Sequence, residues 1–552
     1  MNKKFKKLLQ FLAMLGILSL LLAACGGSNN QPADNGKPTL YSSDPKVLNI
    51  VAGSEQDVVL KQFVVPWCKQ HSITCNLVEQ GSVDQARFLK MRDNRFDVYW
   101  FASSVFEQIG DQANVLKDVQ PMFITPLVYA GWKSQMQKLG FVGRPDVSIA
   151  EILNAVENHK TTAWLTNPTQ SNSGATVLFG FLNYFAGNKP QNALTMEQLR
   201  SAPVQDGISQ FIRAMDQTPP STGTLMNSCI ANPQRCRTLF VYEDLIIEKN
   251  QELVKQGHEP FYVVYPKESL AIADAPMGFY PHNNSSDNAK RQVFDQLQQY
   301  LRSDSVQQQL VHLGRRPITS IGLSLSNPDL SVFNPDWGIK ATLKLQPITY
   351  PSPAVMTAAL DLYQTKYRQP VDLDYCLDSS GSMSESNKWD HLKNAAQLVF
   401  DQNLAKEYYL QANPMDITTV MLFNDDIVDN PQTVQGNDPA QMHSLFQFID
   451  NHSPDGGTNF YTCLSKAAEL FKQHQGEARK RLLILMTDGM SDTNGRDDAI
   501  NALKAIGVPV VCIPFGQDAD ESQLRYIATQ TGGTVTARED IVTALREATG
   551  YK

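Results

Sequence analysis

Short apolar segments alternate with helical segments along most of the chain, and the alternation runs in two separate series. The first series begins with KVLNIVAG at residues 46–53, and the second begins with VDLDYCL at residues 371–377. Strands that alternate with helices predict sheets covered by helices on both faces. Because a domain typically has about 100–200 residues, the 552 residues predict an α/β protein with three or more compact units.

A basic segment, an apolar stretch and a cysteine follow one another in the first 25 residues. A transmembrane helix is one interpretation, but it needs about 20 apolar residues, and this stretch is shorter and contains Gln10. The LAAC ending resembles the bacterial lipobox, which implies a lipoprotein signal peptide at 1–24 and lipid attachment (palmitate) at Cys25. Residues 25–45 are then a flexible polar tether. We expect the protein at the cell membrane, lipid-anchored on the extracytoplasmic face.

The charge of the chain narrows its possible partners. The formal net charge is −8, and removing the four lysines of the N-terminal segment leaves −8 − 4 = −12. Nucleic acid requires a basic patch, and no basic run occurs outside the first ten residues. We therefore predict no nucleic-acid partner and membrane contact through the lipid anchor only. The sequence contains no Walker loop, HExxH motif or nucleophile elbow, so we predict no enzymatic activity.

The cysteines provide a second indication of compartment. Two pairs, each with six intervening residues, are Cys68 with Cys75 and Cys229 with Cys236. In an oxidising compartment such local pairs predict disulfides. A zinc site that uses His71 is the alternative for the first pair, although no fourth ligand is in sight. Cys376, Cys463 and Cys512 lie in apolar contexts and are predicted to be buried thiols.

Small polar residues follow the strands of the first series. At such strand-to-helix junctions, free backbone N–H groups and the helix dipole favour ligands. A helix cap is the alternative interpretation of each residue. The candidates are Ser54, Ser82, Ser103, Ser104, Ser171, Ser173 and Thr176.

Four segments of this series carry a family resemblance: NPTQSNSGATVL, LFVYEDLI, FYVVYPKES and SVQQQLVHLGRRPITS. They make residues 47–338 similar to a bacterial extracellular solute-binding protein of the two-lobed periplasmic-binding type. The resemblance implies a domain at 46–365 that binds a small solute between two lobes, with a hinge near 123–131 and 274–281. The solute contacts that it implies are Ser54, Ser104, Ser173 and Tyr242.

Oxygen-bearing side chains are concentrated in three loops of the second series: DSSGS (378–382), DGGTN (455–459) and TDG (487–489). Loops at the carboxyl edge of a doubly wound sheet converge. Their oxygens suit a hard cation such as Mg²⁺ or Mn²⁺, and the predominance of hydroxyls leaves positive charge for an Asp or Glu of a protein partner. Helix capping would explain one loop but not three. The predicted metal site consists of Asp378, Ser380, Ser382, Thr458 and Asp488.

The spacing Asp-x-Ser-x-Ser at 378–382, together with Thr458 and Asp488, resembles the metal-ion-dependent adhesion site of von Willebrand factor A domains. The resemblance implies a doubly wound, Rossmann-like parallel sheet over residues 366–552. Asp372 and Asp374 depart from it, because a strand buried on both faces is normally apolar throughout. We expect either that only YCL is buried or that these acids lie beyond the covering helices.

The sequence therefore predicts a membrane-anchored binding protein that combines small-solute binding with metal-dependent protein binding or adhesion. The alternative is the substrate-binding component of an ABC-type importer, which delivers solute to a membrane permease and carries the A domain as an accessory. A metal-dependent hydrolase is a third possibility, but no general base lies near the predicted metal site in the sequence.

Overall fold

A computed structural model describes residues 41–268, 271–318, 324–343, 346–474, 478–515, 521–536 and 544–546. The predicted signal peptide (1–24), the predicted lipidation site at Cys25 and most of the predicted tether (25–45) lie outside the described residues. Within the described ranges, no helix combines the length and apolar character needed to cross a membrane.

The strands form three sheets, two in the first series and one in the second. Their orders are β2-β1-β3-β10-β4, then β6-β7-β5-β8 with β9 paired to β5, and β13-β12-β11-β14-β15-β16. The strands are β1 (Val47–Ala52), β2 (Thr74–Glu79), β3 (Val98–Trp100), β4 (Lys117–Pro121), β5 (Thr125–Trp132), β6 (Ala163–Trp164), β7 (Thr238–Tyr242), β8 (Phe261–Val264), β9 (Ile272–Ala273), β10 (Pro276–Phe279), β11 (Val371–Asp378), β12 (Ile417–Phe423), β13 (Ile427–Gln435), β14 (Lys480–Thr487), β15 (Val510–Pro514) and β16 (Thr534–Val535).

Helices connect these strands and cover the sheets. In chain order they are α1 (Asp57–Val59), α2 (Val65–Gln70), α3 (Ser82–Lys90), α4 (Ser104–Gly110), α5 (Lys133–Lys138), α6 (Ile149–Glu157), α7 (Asn172–Phe185), α8 (Met196–Arg200), α9 (Ala202–Arg213), α10 (Thr222–Ala231), α11 (Glu243–Lys255), α12 (Asp287–Leu301), α13 (Asp304–His312), α14 (Pro353–Leu362), α15 (Lys388–Phe400), α16 (Gln402–Glu407), α17 (Pro439–Asp450), α18 (Phe460–Gln473), α19 (Arg496–Ala505) and α20 (Glu521–Thr531).

The first series forms two lobes, one around each of its sheets. In the first lobe, β1 pairs in parallel with β2 and β3, and β10 lies antiparallel between β3 and β4. The chain enters the second lobe between β4 and β5 and returns between β9 and β10. The predicted hinge segments 123–131 and 274–281 contain these two crossings, although most of each segment lies within β5 or β10. Movement about the hinge stays a prediction.

The second series forms the predicted doubly wound sheet. Strands β11, β12, β14, β15 and β16 are parallel, and β13 is an antiparallel edge strand next to β12. Alternate residues of β11 enter two core clusters, with Tyr375 and Leu377 in one and Cys376 in the other. Both faces of the sheet are therefore covered, and the predicted α/β fold class is confirmed.

Both explanations offered for Asp372 and Asp374 are wrong. Every residue of β11 is buried, and these two side chains are each 1 % exposed. Asp372 Oδ2 lies 2.9 Å from His474 Nδ1, whereas Asp374 Oδ2 is a buried oxygen without a hydrogen-bond partner among the described residues. Burial raises the pKa of Asp374 well above its ordinary value. Burial disfavours the charged form of a carboxyl group, so the neutral form is the one that suits an aspartate at this position.

Three disulfides are present among the described residues. Cys68–Cys75 and Cys229–Cys236 have the pairing predicted from their spacing. Because Cys68 and Cys75 are bonded to each other, the zinc alternative is wrong. Cys376 and Cys463 also form a disulfide, so their prediction as buried thiols is wrong, whereas Cys512 is buried and free. Cys376 and Cys463 are 87 residues apart, and sequence spacing alone could not pair them.

Candidate functional site

Asp378 ends β11 and anchors the first of the three oxygen-bearing loops. The side chain is fully buried. Its Oδ1 accepts a hydrogen bond from the backbone N–H of Ser380 at 2.8 Å, and its Oδ2 accepts one from Thr487 Oγ1 at 2.5 Å. Burial raises the pKa of Asp378, and these hydrogen bonds partly offset that effect. The carboxylate thus fixes the loop relative to the end of β14.

The hydroxyls of this loop lead to a second carboxylate. Ser380 Oγ lies 3.1 Å from Ser382 Oγ, and Ser382 Oγ donates to Asp488 Oδ1 at 2.8 Å. Asp488 Oδ2 accepts from Lys388 Nζ at 2.5 Å. Ser380 is the N-cap residue of a 3₁₀-helix, but its side chain makes no capping hydrogen bond. Its hydroxyl therefore faces the site rather than the helix end.

The loop that carries Thr458 packs against the first loop. Gly381 N donates to the carbonyl of Gly456 at 3.0 Å, and Asp455 N donates to the carbonyl of Ser379 at 2.9 Å. A Cβ atom placed on Gly489 would lie 3.8 Å from Thr458 Oγ1, so this hydroxyl is next to the loop that follows β14. The structure brings all three predicted loops together at one edge of the sheet.

The donor set fits a hard divalent cation. The described residues contain no group of three or more His, Cys, Asp or Glu side chains that could hold a metal, so a metal at this edge would depend on hydroxyl oxygens. Such oxygens are suitable ligands for Mg²⁺ and Mn²⁺. The two carboxylates at the site are buried, whereas Ser382 and Thr458 are half-buried. The site can therefore be reached from solvent on its hydroxyl side.

A cavity of about 190 Å³ lies between the two lobes of the first series. Ser54, which follows β1, accepts a hydrogen bond from Gly223 N at 3.1 Å and so joins the lobes across it. Thr534 and Val535 of β16 also line the cavity, so the second series contributes to its wall. Other lining residues are Glu55 and Glu79 from the first lobe, Gln170 and Asn172 from the second, and Arg546 from the C-terminal part of the chain.

Of the four predicted solute contacts, Ser54 is among the residues that line this cavity. Ser173 Oγ lies 2.7 Å from Thr166 Oγ1, and the hydroxyl of Tyr242 accepts a hydrogen bond from Asn172. Both side chains are buried and engaged with neighbours instead of lining the cavity. Ser104 donates through its backbone N–H to Asp274 Oδ1 at 2.8 Å, at the return crossing between the lobes.

Arg546 closes one side of the cavity from the second series. Its Nε lies 3.3 Å from Asp84 Oδ1, and its Nη1 donates to the carbonyl of Tyr408 at 2.8 Å. Its Nη2 donates to the carbonyl of Thr169, and its own carbonyl accepts from Gln170 Nε2. Arg546 is 2 % exposed. Its contacts with Asp84 and Thr169 in the first series and with Tyr408 in the second connect the wall of the cavity to the second series.

Several of these residues were missed from the sequence. Glu79 ends β2, and Glu55 lies three residues after the end of β1, so their position among the polar residues that follow strands was an available signal. Lys388, the first residue of α15, was also missed, although it donates to Asp488 at the predicted metal site. No sequence pattern near Arg546 could have placed it at the cavity, because the cavity residues that it contacts lie more than three hundred residues earlier in the chain.

Comparison with known proteins identifies both parts of the chain. Residues 48–316 match the family "Bacterial extracellular solute-binding protein", and residues 372–549 match the "von Willebrand factor type A domain". These ranges lie inside the predicted domains 46–365 and 366–552. No curated protein matches the chain.

Solved structures resemble each part distantly. A von Willebrand factor type A structure from Catenulispora acidiphila is 20% identical with a TM-score of 0.29, and the match covers 34% of this chain and 43% of that one. The periplasmic binding protein AfuA from Actinobacillus pleuropneumoniae is 14% identical with a TM-score of 0.41, covering 56% and 93%. A putative extracellular solute-binding protein from Bordetella parapertussis is 13% identical with a TM-score of 0.37, covering 58% and 98%.

The two family matches agree with the arrangement of the sheets. The first match spans both lobes and the cavity between them, and the second spans the doubly wound sheet and its three loops. Residues 48–316 form a bacterial extracellular solute-binding domain, and residues 372–549 form a von Willebrand factor type A domain.

Proposed function

We propose that this protein is a membrane-anchored, extracytoplasmic binding protein that combines small-solute binding with divalent-metal-dependent binding of a partner protein. The observation that carries the proposal is the hydrogen-bonded series Asp378–Ser380–Ser382–Asp488, next to the loop of Thr458. The cavity between the lobes supports the solute-binding half. Three disulfides support an oxidising, extracytoplasmic location.

In the proposed metal site, Ser380, Ser382 and Thr458 would ligate Mg²⁺ or Mn²⁺ directly, and Asp378 and Asp488 would accept hydrogen bonds from its waters. Both oxygens of Asp378 and both oxygens of Asp488 already accept hydrogen bonds from protein groups, which favours this supporting role. The bound cation supplies positive charge that attracts a carboxylate. An Asp or Glu of a partner protein would offer the cation an oxygen ligand of the kind that hard divalent cations prefer.

Removal of a proposed ligand is expected to weaken metal binding. In calorimetric titration of the full-length protein with Mg²⁺ and Mn²⁺, Ser382→Ala and Thr458→Ala should each lower the affinity about 10–100-fold, and Asp378→Ala should act similarly through the supporting carboxylate. Ser384→Ala is the matched control, because Ser384 is exposed in the same loop and donates only to the carbonyl of Gly381. Wild-type protein without a heat of binding, or equal affinity in all variants, would refute the metal site.

The proposed anchor is a lipid on Cys25. The apolar stretch that precedes this cysteine, and the LAAC ending, support it. Cys25→Ser should move the protein from the membrane fraction to the soluble fraction, because a soluble domain without its lipid loses its apolar membrane contact. Cell fractionation followed by immunoblotting measures this. A soluble wild type or a membrane-bound variant would contradict the anchor.

A second candidate function is solute delivery to a membrane permease of an ABC-type importer. The match of residues 48–316 to extracellular solute-binding proteins favours it. Solute uptake that depends on this protein in intact cells would distinguish delivery from sensing or adhesion. Both domains are of binding or adhesion types rather than enzyme types, so a metal-dependent hydrolase is the least supported alternative.

A further inference from the structure

The cavity between the lobes is acidic. Glu55, Glu79 and Asp84 line it, and Arg546 is the basic residue among the described lining residues. Asp84 Oδ1 is already within ion-pair distance of Arg546 at 3.3 Å and of Arg87 at 3.4 Å. Asp84 is thus neutralised by arginines, and Glu55 and Glu79 are the remaining acidic residues of the cavity lining.

In the part of the chain that the structure describes, neither of these two glutamates has an ion pair that would balance its charge. No described lysine or arginine nitrogen is within 4.0 Å of the carboxylate of Glu55 or Glu79. Arg315 donates to the backbone carbonyl of Glu55 at 3.2 Å, but its guanidinium lies between the carboxylates of Asp244 and Glu248. The charged groups nearest to the cavity thus leave a region of unbalanced negative charge.

Buried oxygens around the cavity also lack hydrogen-bond donors. Glu55 Oε1, Gln170 Oε1 and Asn172 Oδ1 have no hydrogen-bond partner among the described residues, and each of these side chains is more than nine-tenths buried. Gln170 and Asn172 use their amide nitrogens elsewhere, toward Arg546 and Tyr242. All three atoms are acceptors, and a buried acceptor is unfavourable until a donor meets it.

Burial raises the pKa of Glu55 to about 7, and the charges of Glu79 and Asp244 add to this effect. A cation placed beside Glu55 would favour its ionised form. An ammonium group offers three N–H donors and no acceptor, and so matches a cavity that presents unsatisfied acceptors and negative charge.

We propose that the solute of this cavity is a small organic cation with a primary ammonium group, held between Glu55 and Glu79 and oriented by Gln170 and Asn172. This proposal rests on the proposed solute-binding function and specifies its ligand class. A carboxylate or phosphate ligand would be repelled by Glu79 and by the ionised form of Glu55, and a neutral polyol would not stabilise that ionised form as a cation does.

The test uses four small molecules with the same carbon chain and different charge. Full-length protein, with EDTA present to exclude the metal site, is titrated calorimetrically with putrescine, butylamine, butanediol and succinate. We expect binding heat from the two amines and none from the diol or the dicarboxylate. Glu55→Gln and Glu79→Gln should each weaken amine binding about tenfold or more. Glu197→Gln, an exposed carboxylate on α8 outside the cavity, should leave it unchanged.

Other outcomes separate the ligand class from the solute-binding function. Glu55→Gln is expected to fold, because it replaces a buried acid that has no described ion pair by an amide of the same shape, and its melting temperature checks this. Binding of butanediol or succinate but not of the amines, lost on Asn172→Ala, would overturn the cation assignment and keep the solute site. No heat from any of the four at millimolar concentration, with no small molecule released on denaturation, would overturn both. Amine binding that is unchanged in Glu55→Gln and Glu79→Gln would also overturn the assignment.

Discussion

Replacement of Asp374 by asparagine is expected to stabilise the von Willebrand factor type A domain at neutral pH. The carboxyl group is buried in the central strand β11 and has an elevated pKa in the folded protein, whereas an unfolded chain ionises it near pH 4. Between these two pKa values the folded state binds more protons than the unfolded state. The free energy of unfolding therefore falls as pH rises through this window, by up to about 1.4 kcal/mol per pH unit.

Asparagine does not ionise, so the variant loses this part of the pH dependence. The amide keeps an oxygen for the hydrogen bond with Thr419 but places an N–H₂ group where Asp374 Oδ2 has no partner. An unsatisfied buried group costs about 1–3 kcal/mol. This cost does not vary with pH, so the advantage of the variant should grow as pH rises from about 4 through the range between the unfolded-state and folded-state pKa values of Asp374.

Urea unfolding of the full-length protein across this pH range, followed by hydrogen exchange of β11, β12 and β14, measures the effect in the relevant domain. Asp390→Asn is the control, because Asp390 is an exposed carboxylate on α15 of the same domain and its replacement should leave the pH dependence unchanged. A variant that keeps the wild-type slope of stability against pH would show that Asp374 is ionised in the folded protein.

The strands of this domain could be predicted where the sequence is continuously apolar, as in RLLILMT of β14 and VMLF of β12. Strand β13 was not predicted, because most of its residues are exposed and it contains Pro431. An edge strand can be polar on its exposed side, and it can contain a proline because not every backbone N–H of an edge strand is needed for pairing. The polar edge of a sheet therefore gives a weak pattern, although β13 pairs with β12 along most of its length, with a register shift between Val420 and Leu422.

The two candidate sites also differ in how far the sequence could predict them. Asp378, Ser380 and Ser382 lie within five residues, so local spacing was enough to group them. Lys388, whose ammonium group donates to Asp488, has the same sequence pattern as any solvated lysine at the start of a helix. The cavity depends on contacts between lobes and between domains, such as Arg546 with Asp84. Such contacts follow from the packing of distant elements, which no periodicity in one segment records.

Loss of the Cys376–Cys463 disulfide is expected to be the most destabilising of the cysteine changes. The bond closes a loop whose ends are 87 residues apart, and the chain-entropy model assigns about 4–5 kcal/mol to a loop of this length. Cys229 and Cys236 are seven residues apart, for which the same model gives about 2–3 kcal/mol. Urea unfolding of the Cys376→Ala/Cys463→Ala and Cys229→Ala/Cys236→Ala variants should show this order, with hydrogen exchange assigning each loss to its domain.

The same bond should matter for the proposed metal site. Cys376 precedes Asp378 by two residues on β11, and Cys463 lies in the first turn of α18, which begins two residues after Thr458. The disulfide thus ties the strand that presents the first loop to the helix that follows the second. Without the disulfide, the two loops should move more independently. The Mg²⁺ affinity of the Cys376→Ala/Cys463→Ala variant, measured without urea at a pH where the variant is folded, should therefore fall severalfold.

The Cys229→Ala/Cys236→Ala variant, altered in the other domain, should keep wild-type Mg²⁺ affinity. Equal Mg²⁺ affinity in both variants would mean that the hydrogen bonds Gly381–Gly456 and Asp455–Ser379 hold the loops together without help from the disulfide.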